Sequence, residues 1–484
     1  MLTRARGPFF RGALFSGSSP MAQDAASPFG PSQIIATVAT LASIVLLAAP
    51  LWSADALVWQ AAGIVLFSVT LWATSAIPIH ITALIMFLVT MVLDIAPSNV
   101  TFSGFHASAT WLVFGGLVIT IAVQRSGLAT RAVQALVAHL PAQYFAMALG
   151  IAIAGVGLAF LMPSASARAV LMAPLAMALA DRLGFTENAG PRFGLVIAAA
   201  LGSTVPAFGI LPSTVVSMAF AGVAESIHGI RFTYFDYTLL NFPIAGALGL
   251  LIQTGLITVM FGAKPQTDGT AEKAAGWTGD ERRLLTILVI ALALWMTDSL
   301  HGISPAWVAM GAALLCITPR IGMLSSKVLT ADVNYGPWLF IAGVIGMGAI
   351  ASHTGLGAAL GALLLENVPL TADGGLISFY QIFIIGGAIN MVATAPIVAP
   401  IMTTFADAIA QATNWPIRAV LLAEVPSFMI FPLPHQAPPI VITMAIAGVP
   451  IRAGVRVLAV YFVIALLVIL PLQYLWGRLL GFYP

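Results

Sequence analysis

The second half of the chain repeats the first half at a nearly constant spacing of 226 residues. Polar, charged and proline residues pair at this spacing as follows: Pro174 with Pro400, Asp181 with Asp407, Asn188 with Asn414, Arg192 with Arg418, Pro206 with Pro432 and Pro212 with Pro438. Apolar residues match often by chance in such a chain, but residues of these types do not. The sequence therefore predicts two equivalent structural repeats.

The chain is too apolar for a soluble domain: 60% of its residues are hydrophobic and 7% are charged, against about 25% charged in soluble domains. Apolar runs that can cross the hydrocarbon layer predict about eleven transmembrane helices. The stretches 144–182 and 377–411 are too long for one crossing and are interrupted by small, polar and proline residues, so we expect two re-entrant hairpins. Prolines also predict breaks in the helices at 193–222 and 418–448. The predicted fold is an all-α polytopic membrane protein.

The positively charged residues indicate the orientation of the chain. When the N-terminus is placed inside, most Lys and Arg residues fall in cytoplasmic segments, whereas Arg231, Arg418 and Arg478 fall outside. The same threading puts the C-terminus outside. An odd number of crossings separates equivalent elements, so the two repeats have inverted topology.

This threading divides the chain into four segments. They are a disordered cytoplasmic tail at 1–33, a first transmembrane helix and first repeat at 34–262, a cytoplasmic linker at 263–283 and a second repeat at 284–484. Either Met1 or Met21 is the start of translation.

Several classes of function are excluded by composition and motifs. A formal net charge of +2 gives no broad basic surface for nucleic acid. The sequence contains no phosphate-binding loop and no His-Glu-x-x-His motif. We therefore predict neither an enzyme nor an ATP-driven pump, and no bound cofactor.

Inverted repeats with broken elements in equivalent places are typical of secondary transporters, whose binding site lies near mid-membrane where the repeats meet. Half-helix ends there expose amides and carbonyls that hold ions or anionic substrates. The candidate substrate-binding residues lie at the hairpin tips and helix breaks: Ser164, Ala165, Ser166, Arg168, Pro212, Ser213, Thr214, Asn390, Thr394, His435, Gln436 and Pro438.

Three titratable residues in these segments each allow two interpretations. In the functional interpretation, Arg168 contacts the substrate anion or takes the place of a sodium ion. In the structural one, its side chain extends to the cytoplasmic mouth or pairs with an acid such as Glu424. His435 either binds an anion or titrates with transported protons, and otherwise it satisfies carbonyls freed by the break. Glu424 is a candidate for proton coupling, and otherwise it is a buried partner of Arg168 or lies at the outer face.

The architecture resembles the divalent anion:sodium symporter family, which carries di- and tricarboxylates or sulfate. In that family each hairpin tip has a Ser-Asn-Thr motif, with a proline eight residues after its threonine. Counting back from Pro174 and Pro400 places the motifs on Ser164-Ala165-Ser166 and on Asn390-Met391-Val392. The helix breaks match at Pro212 and Pro438. The resemblance implies a homodimer, and two hairpins and two broken helices that slide against a fixed scaffold.

This chain departs from the family where sodium would bind. Ala165 and Met391 stand at the central positions, where the family has asparagine. Backbone oxygens near Ser164, Ser166 and Asn390 still allow a sodium site, because hard cations bind oxygen ligands. We expect sodium dependence to be weak or absent, with protons or exchange as the alternatives.

The leading hypothesis is a secondary active transporter of small organic anions, such as di- or tricarboxylates, in the cytoplasmic (inner) membrane. The alternative is a related ion-exchange transporter, either a cation/proton antiporter or an oxyanion exporter. The partners are then the anionic substrate and the lipid bilayer.

Overall fold

A computed structural model describes residues 31–51, 53, 55–138, 140–141, 143–266 and 276–484. The predicted tail lies almost wholly outside these residues, as do both candidate start methionines and the middle of the predicted linker. Throughout the described ranges the secondary structure is helical, without β-strands, which confirms the predicted all-α class.

Helices before the linker form the first half of the fold. In chain order they are α1 Pro31–Leu47, α2 Ala56–Thr74, α3 Ile79–Val92, α4 Ser98–Thr101, α5 Ser103–His106, α6 Ser108–Ser126, α7 Leu128–Ala138, α8 Tyr144–Leu161, α9 Ala165–Arg182, α10 Gly190–Thr204, α11 Val215–His228, α12 Tyr234–Asn241 and α13 Gly249–Phe261. A π-helical segment over Phe242–Leu248 joins α12 and α13 into one continuous helix, Tyr234–Phe261.

Helices after the linker form the second half. They are α14 Gly279–Met296, α15 Asp298–His301, α16 Pro305–Ile317, α17 Val328–Ala331, α18 Gly336–His353, α19 Leu356–Asn367, α20 Leu376–Val392, α21 Ala395–Thr413, α22 Ile417–Met429, α23 Pro438–Ile446, α24 Ile451–Ile464 and α25 Leu470–Leu479. Here too a π-helical segment, Ala465–Ile469, joins the last two helices.

Eight helical stretches in the described chain are long and apolar enough to cross a membrane, and several shorter apolar helices accompany them. Two of the eight, α8 and α21, belong to the segments that the sequence assigned to re-entrant hairpins. The number of crossings and the inverted relation of the repeats therefore remain predictions.

Both predicted hairpins divide into two helices. In the first, α8 ends at Leu161 and α9 begins at Ala165, where the side chain of Ser164 accepts a hydrogen bond from the amide of Ala167 at 3.3 Å. In the second, α20 ends at Val392 and α21 begins at Ala395 with a proline in its first turn.

The second tip begins later than the proline count predicted. Asn390 and Met391 still lie in the last turn of α20, and Thr394 is the residue that precedes α21, as Ser164 precedes α9. Pro396 explains the shift, because a proline fits the first turn of a helix and cannot donate a hydrogen bond inside one. Thr394 is therefore the structural equivalent of Ser164.

Both long helices are broken where prolines cluster. Between α10 and α11 lie two 3₁₀ turns, Pro206–Gly209 and Leu211–Ser213, and between α22 and α23 lies one, Pro434–Gln436. Each half-helix after a break packs against the hairpin of the other half of the chain: α11 against α21, and α23 against α9. This crossed packing brings the two tips and two breaks to one place.

Glycines allow the first hairpin to approach the first broken helix closely. A Cβ atom built on Gly202 of α10 would lie 2.4 Å from the carbonyl oxygen of Ala152 on α8. Gly155 meets the same interface from α8, where a Cβ would lie 2.7 Å from the amide nitrogen of Ser203. Contacts this short leave no room for any side chain, so the backbones of α8 and α10 pack directly against each other.

Candidate functional site

Four helix N-termini meet at one cavity of about 490 Å³. The cavity is lined by residues 163–167 at the start of α9, 214–216 at the start of α11, 394–397 at the start of α21 and 437–439 at the start of α23. The first four amides of an α-helix have no partner within the helix and carry its partial positive charge. The cavity therefore receives the partial positive charge of four helices. Its amide donors come from α9, α11 and α21, because α23 begins with Pro438 and Pro439, which have no amide hydrogen, and the next amide, that of Ile440, donates to the carbonyl of Ala437.

Hydroxyl groups accompany three of these N-termini. Thr214 caps α11 by accepting a hydrogen bond from the amide of Ser217 at 3.1 Å, as Ser164 caps α9. Thr394 precedes α21 but makes no side-chain cap there, so its hydroxyl is available to a ligand. Ser166 also lines the cavity, one residue inside α9.

The opposite wall of the cavity is mostly apolar and comes from other helices. Trp72 of α2, Leu117 and Ile121 of α6 and Phe340 of α18 contribute large apolar side chains. Sequence reasoning missed this wall, because these residues sit in regular helices without breaks or charges. The spacing of Val113, Leu117, Ile121 and Gln124 on one face of α6 is the pattern that indicates a shared surface.

Arg168 does not line the cavity. Its side chain is fully buried behind the first tip, where Nε donates to the carbonyl of Ser203 at 2.9 Å and Nη1 donates to the carbonyls of Ser213, at 2.9 Å, and of Met162. These carbonyls belong to the end of α10, the helix break and the hairpin turn. The guanidinium therefore ties the hairpin turn to both sides of the first helix break through backbone oxygens.

No ion pair within the described ranges joins Arg168 to an acid, so the predicted pairing with Glu424 is not seen. Its second terminal nitrogen, Nη2, is buried without a hydrogen-bond partner in the same part of the chain. Of the predicted roles, the arrangement fits a fixed cation among carbonyl oxygens better than direct contact with the substrate.

The second tip is held by amide side chains. Asn390 is fully buried, and its Nδ2 donates to the carbonyl of Ser427 at 3.0 Å. Gln436, in the second break, donates from Nε2 to the carbonyl of Asn390 at 2.7 Å and accepts from the amide of Leu433 at 2.9 Å. These neutral donors connect hairpin and break, as Arg168 does in the first half.

The remaining predicted residues fall into two groups. Ala165 and Pro438 line the cavity, together with the hydroxyl residues described above. Pro212 and Ser213 are buried in the first break, away from the cavity wall, and the Ser213 hydroxyl donates to the carbonyl of Ala159. His435 is exposed on the second break and does not line the cavity.

The residues named for a sodium site do not all line the cavity. Ser164 and Ser166 face the cavity from the first tip, whereas Asn390 is buried behind the second tip and does not line it. No three His, Cys, Asp or Glu side chains form a possible metal site within the described ranges.

Glu424 lies in α22, fully buried, and neither carboxylate oxygen has a hydrogen-bond partner among the described residues. It does not line the cavity. Asp332 does line the cavity, and its carboxylate is paired with Arg125 at 2.7 Å.

Comparison with known proteins identifies relatives over most of the chain. The sequence matches the family described as the sodium:sulfate symporter transmembrane region over residues 31–483. A protein of Cupriavidus necator described as a membrane protein is 22% identical over 354 residues, which cover 70% of this chain and 69% of that protein. The citrate/succinate antiporter of Escherichia coli (strain K12) is 26% identical over 217 residues, 41% of this chain and 43% of the antiporter.

Among solved structures, the YdaH transporter of Alcanivorax borkumensis has a similar fold. It aligns with a TM-score of 0.53 at 17% sequence identity, covering 79% of this chain and 88% of the transporter chain. At this identity the similarity concerns the fold alone.

Proposed function

Because the chain belongs to the sodium:sulfate symporter transmembrane-region family, we propose that it is a secondary transporter that moves small organic anions, di- or tricarboxylates, across the inner membrane by alternating access. The family predicted from the repeat and its motifs is thus confirmed. The observation that supports an anionic substrate most directly is the convergence of four helix N-termini on one cavity.

An anion fits this cavity better than a cation does. The dipoles of α9, α11, α21 and α23 all favour negative charge. The acid on the wall, Asp332, is already neutralised by Arg125, so no free carboxylate competes with a bound anion there. This argues against the alternative of a cation/proton antiporter. An oxyanion would satisfy the same donors, so it is an outcome of the test below.

The dimensions and walls of the cavity favour a small organic anion. A volume of about 490 Å³ lies within the range of small-molecule sites. The hydroxyls of Ser166 and Thr394 and the helix amides can hold two carboxylates at the two tips. The apolar wall around Trp72 and Phe340 then contacts the carbon chain between them.

Coupling to sodium is not needed at either tip. Arg168 places a fixed positive charge among carbonyl oxygens of the kind that hard cations bind. At the second tip, the amides of Asn390 and Gln436 occupy the neighbouring carbonyls. The named citrate/succinate antiporter supports exchange of carboxylates as one mode, although the match covers less than half of that protein. A homodimer remains a prediction from the family.

Uptake into proteoliposomes tests the function. We expect radiolabelled succinate or citrate to exchange against the same anion inside, and to do so equally well in sodium and in potassium buffers. Sulfate is the oxyanion arm of the same experiment. If saturable uptake requires sodium, the coupling proposal is wrong; if neither carboxylate is taken up and sulfate is, the substrate class is wrong.

The proposed orientation has a separate test. The sequence has a single cysteine, Cys316, and it is buried, so introduced cysteines can be labelled selectively. With the N-terminus inside, we expect Gly276→Cys to react with a membrane-impermeant thiol reagent only from the cytoplasmic side, and Pro484→Cys only from outside. Labelling of both positions from one side would contradict the inverted repeats.

A further inference from the structure

Glu424 is a buried acid that the anion site does not use. It lies seven residues into α22, about 10 Å along the helix axis from Ile417. The side chain is fully buried, and in the described part of the chain neither of its carboxylate oxygens accepts a hydrogen bond. An ionised carboxylate in such a place is strongly disfavoured, because burial removes its hydration and no ion pair replaces it. A bound proton removes this penalty.

The neighbouring elements supply no counter-charge. The charged groups on α12, α21 and α22 have other partners: Asp236 pairs with Arg418, and Asp407 lies 3.5 Å from His228. The other titratable groups on α12, α20 and the chain terminus are tyrosines, which are neutral phenols near pH 7. Tyr237, Tyr380 and Tyr483 donate to the carbonyls of Phe208, Leu466 and Leu422, and the hydroxyl of Tyr234 is buried without a hydrogen-bond partner among the described residues. The 3₁₀ turn Pro206–Gly209, which also packs on α22, carries no titratable side chain. The charge of Glu424 is therefore balanced best by a proton.

Glu424 is connected to the second tip by a chain of hydrogen bonds. The backbone carbonyl of Glu424 accepts a hydrogen bond from the hydroxyl of Ser427 at 2.6 Å. The backbone carbonyl of Ser427 in turn accepts one from Asn390 Nδ2 at 3.0 Å. Gln436 extends the chain to the second break by donating to the carbonyl of Asn390 at 2.7 Å. A change of charge on Glu424 thus occurs among the hydrogen-bonded residues that hold the second tip, which borders the cavity.

His228 and Asp407 lie between Glu424 and the protein surface. The hydroxyl of Thr403 on α21 lies beside the Glu424 carboxyl and donates to the carbonyl of Ala399 at 2.8 Å. The carbonyl of Thr403 lies 2.8 Å from His228 Nε2, and His228 Nδ1 lies 3.5 Å from the exposed carboxylate of Asp407. In the first half, Asp181 instead pairs with Arg192. The buried acid of the second half therefore has a histidine from α11, in the first half, on its surface side.

We propose that Glu424 is the proton-binding site that couples anion transport to a proton gradient. The proposal rests on the proposed function: the anion binds at the four N-termini, and one proton binds to the Glu424 carboxylate. Negative charge in the cavity favours the protonated acid, and by reciprocity the proton favours the anion. The proton and the anion enter from one side and leave together on the other, so each transported anion carries one proton.

Glutamine in place of Glu424 separates coupling from transport, because it has the shape of the protonated acid and cannot release a proton. The assay is succinate uptake into proteoliposomes with the membrane potential clamped at zero. For the parent protein, a pH lower by one unit outside should drive about tenfold accumulation. Glu424→Gln should keep succinate exchange within about twofold and lose the accumulation. Glu187→Gln, at an exposed loop position, is the matched control and should behave like the parent.

Each outcome has a defined meaning. If Glu424→Gln still accumulates succinate in response to pH, the acid is a neutral structural group and the proposal is wrong. Accumulation driven by a sodium gradient and abolished by the same change would assign a sodium ion to this carboxyl, which also contradicts it. Absence of exchange in the parent protein would instead contradict the proposed function.

The protonation of Glu424 can also be measured without substrate, which tests the proposal even if the parent protein shows no exchange or a variant transports poorly. Infrared difference spectra between alkaline and acidic pH should contain the carbonyl band of a buried carboxylic acid. This band should disappear in Glu424→Gln and shift in Glu424→Asp, which remains titratable. An unchanged band in Glu424→Gln would assign the protonation to another residue and overturn the proposal.

Discussion

Replacing Arg168 with alanine is expected to reduce transport by about two orders of magnitude. The change leaves the carbonyls of Met162, Ser203 and Ser213 buried without their donor, and each unpaired buried group costs about 1–3 kcal/mol. It also removes the fixed positive charge behind the first tip. The hairpin turn, the end of α10 and the break then lose the group that holds them together. Initial rates of succinate exchange, normalised to the amount of protein in the membrane, measure the effect.

The nature of the loss distinguishes a fixed cation from an ordinary structural residue. Arg168→Lys keeps the positive charge but lacks the planar guanidinium that reaches several carbonyls at once. Its rate of succinate exchange should therefore lie between those of the parent and of Arg168→Ala. Arg168→Ala leaves oxygens around the vacated volume, and added guanidinium or sodium ions should partly restore its activity. Arg282→Ala, an exposed position at the start of α14, is the control and should retain full activity. Full activity of Arg168→Ala without added cations would contradict the role given to Arg168.

Much of the fold could be predicted from proline positions and apolar length. The repeated prolines and the interrupted apolar stretches located the division between α8 and α9, the division between α20 and α21, and both helix breaks within a few residues, because proline removes a backbone donor and helices must end or break around it. Whether the divided stretches re-enter the membrane stays a prediction. The family followed from the same pattern. The relation of the repeats and the number of crossings are not decided by helix lengths alone, since α3, α11 and α16 are shorter than a bilayer-spanning helix.

The site was predicted less well, for two physical reasons. A count from Pro400 assumed equal spacing in both hairpins and put the motif on Asn390-Met391-Val392. Pro396 delays the start of α21, so Thr394, which was also among the predicted tip residues, is the one that precedes the helix. The partners of Arg168 are backbone carbonyls from distant segments, which no side-chain pattern reveals. Contacts of this kind depend on tertiary packing, so the sequence identified the residue and left its role open between two alternatives.

The two tips solve the same problem with different chemistry. Carbonyls exposed by a broken helix must find donors, since unpaired polar groups inside a membrane protein are costly. The first half uses a cationic donor at Arg168, and the second half uses the amides of Asn390 and Gln436. The first tip thus contributes a full positive charge near the anion, and the second leaves Glu424 as the charged group whose state can vary.

A negative charge at the first tip is expected to abolish anion binding. Ala165 is the first residue of α9 and lines the cavity, so Ala165→Asp places a carboxylate among the helix N-termini where the substrate anion would bind. Like charges held this close cost several kcal/mol, which corresponds to a loss of affinity of more than about 100-fold. Ala165→Asn is the matched control, because it has nearly the same size without the charge and restores the residue that the family has there. We expect succinate to raise the melting temperature of the parent and of Ala165→Asn, and to leave that of Ala165→Asp unchanged. Equal stabilisation of all three proteins by succinate would place the anion elsewhere and remove the four N-termini as its site.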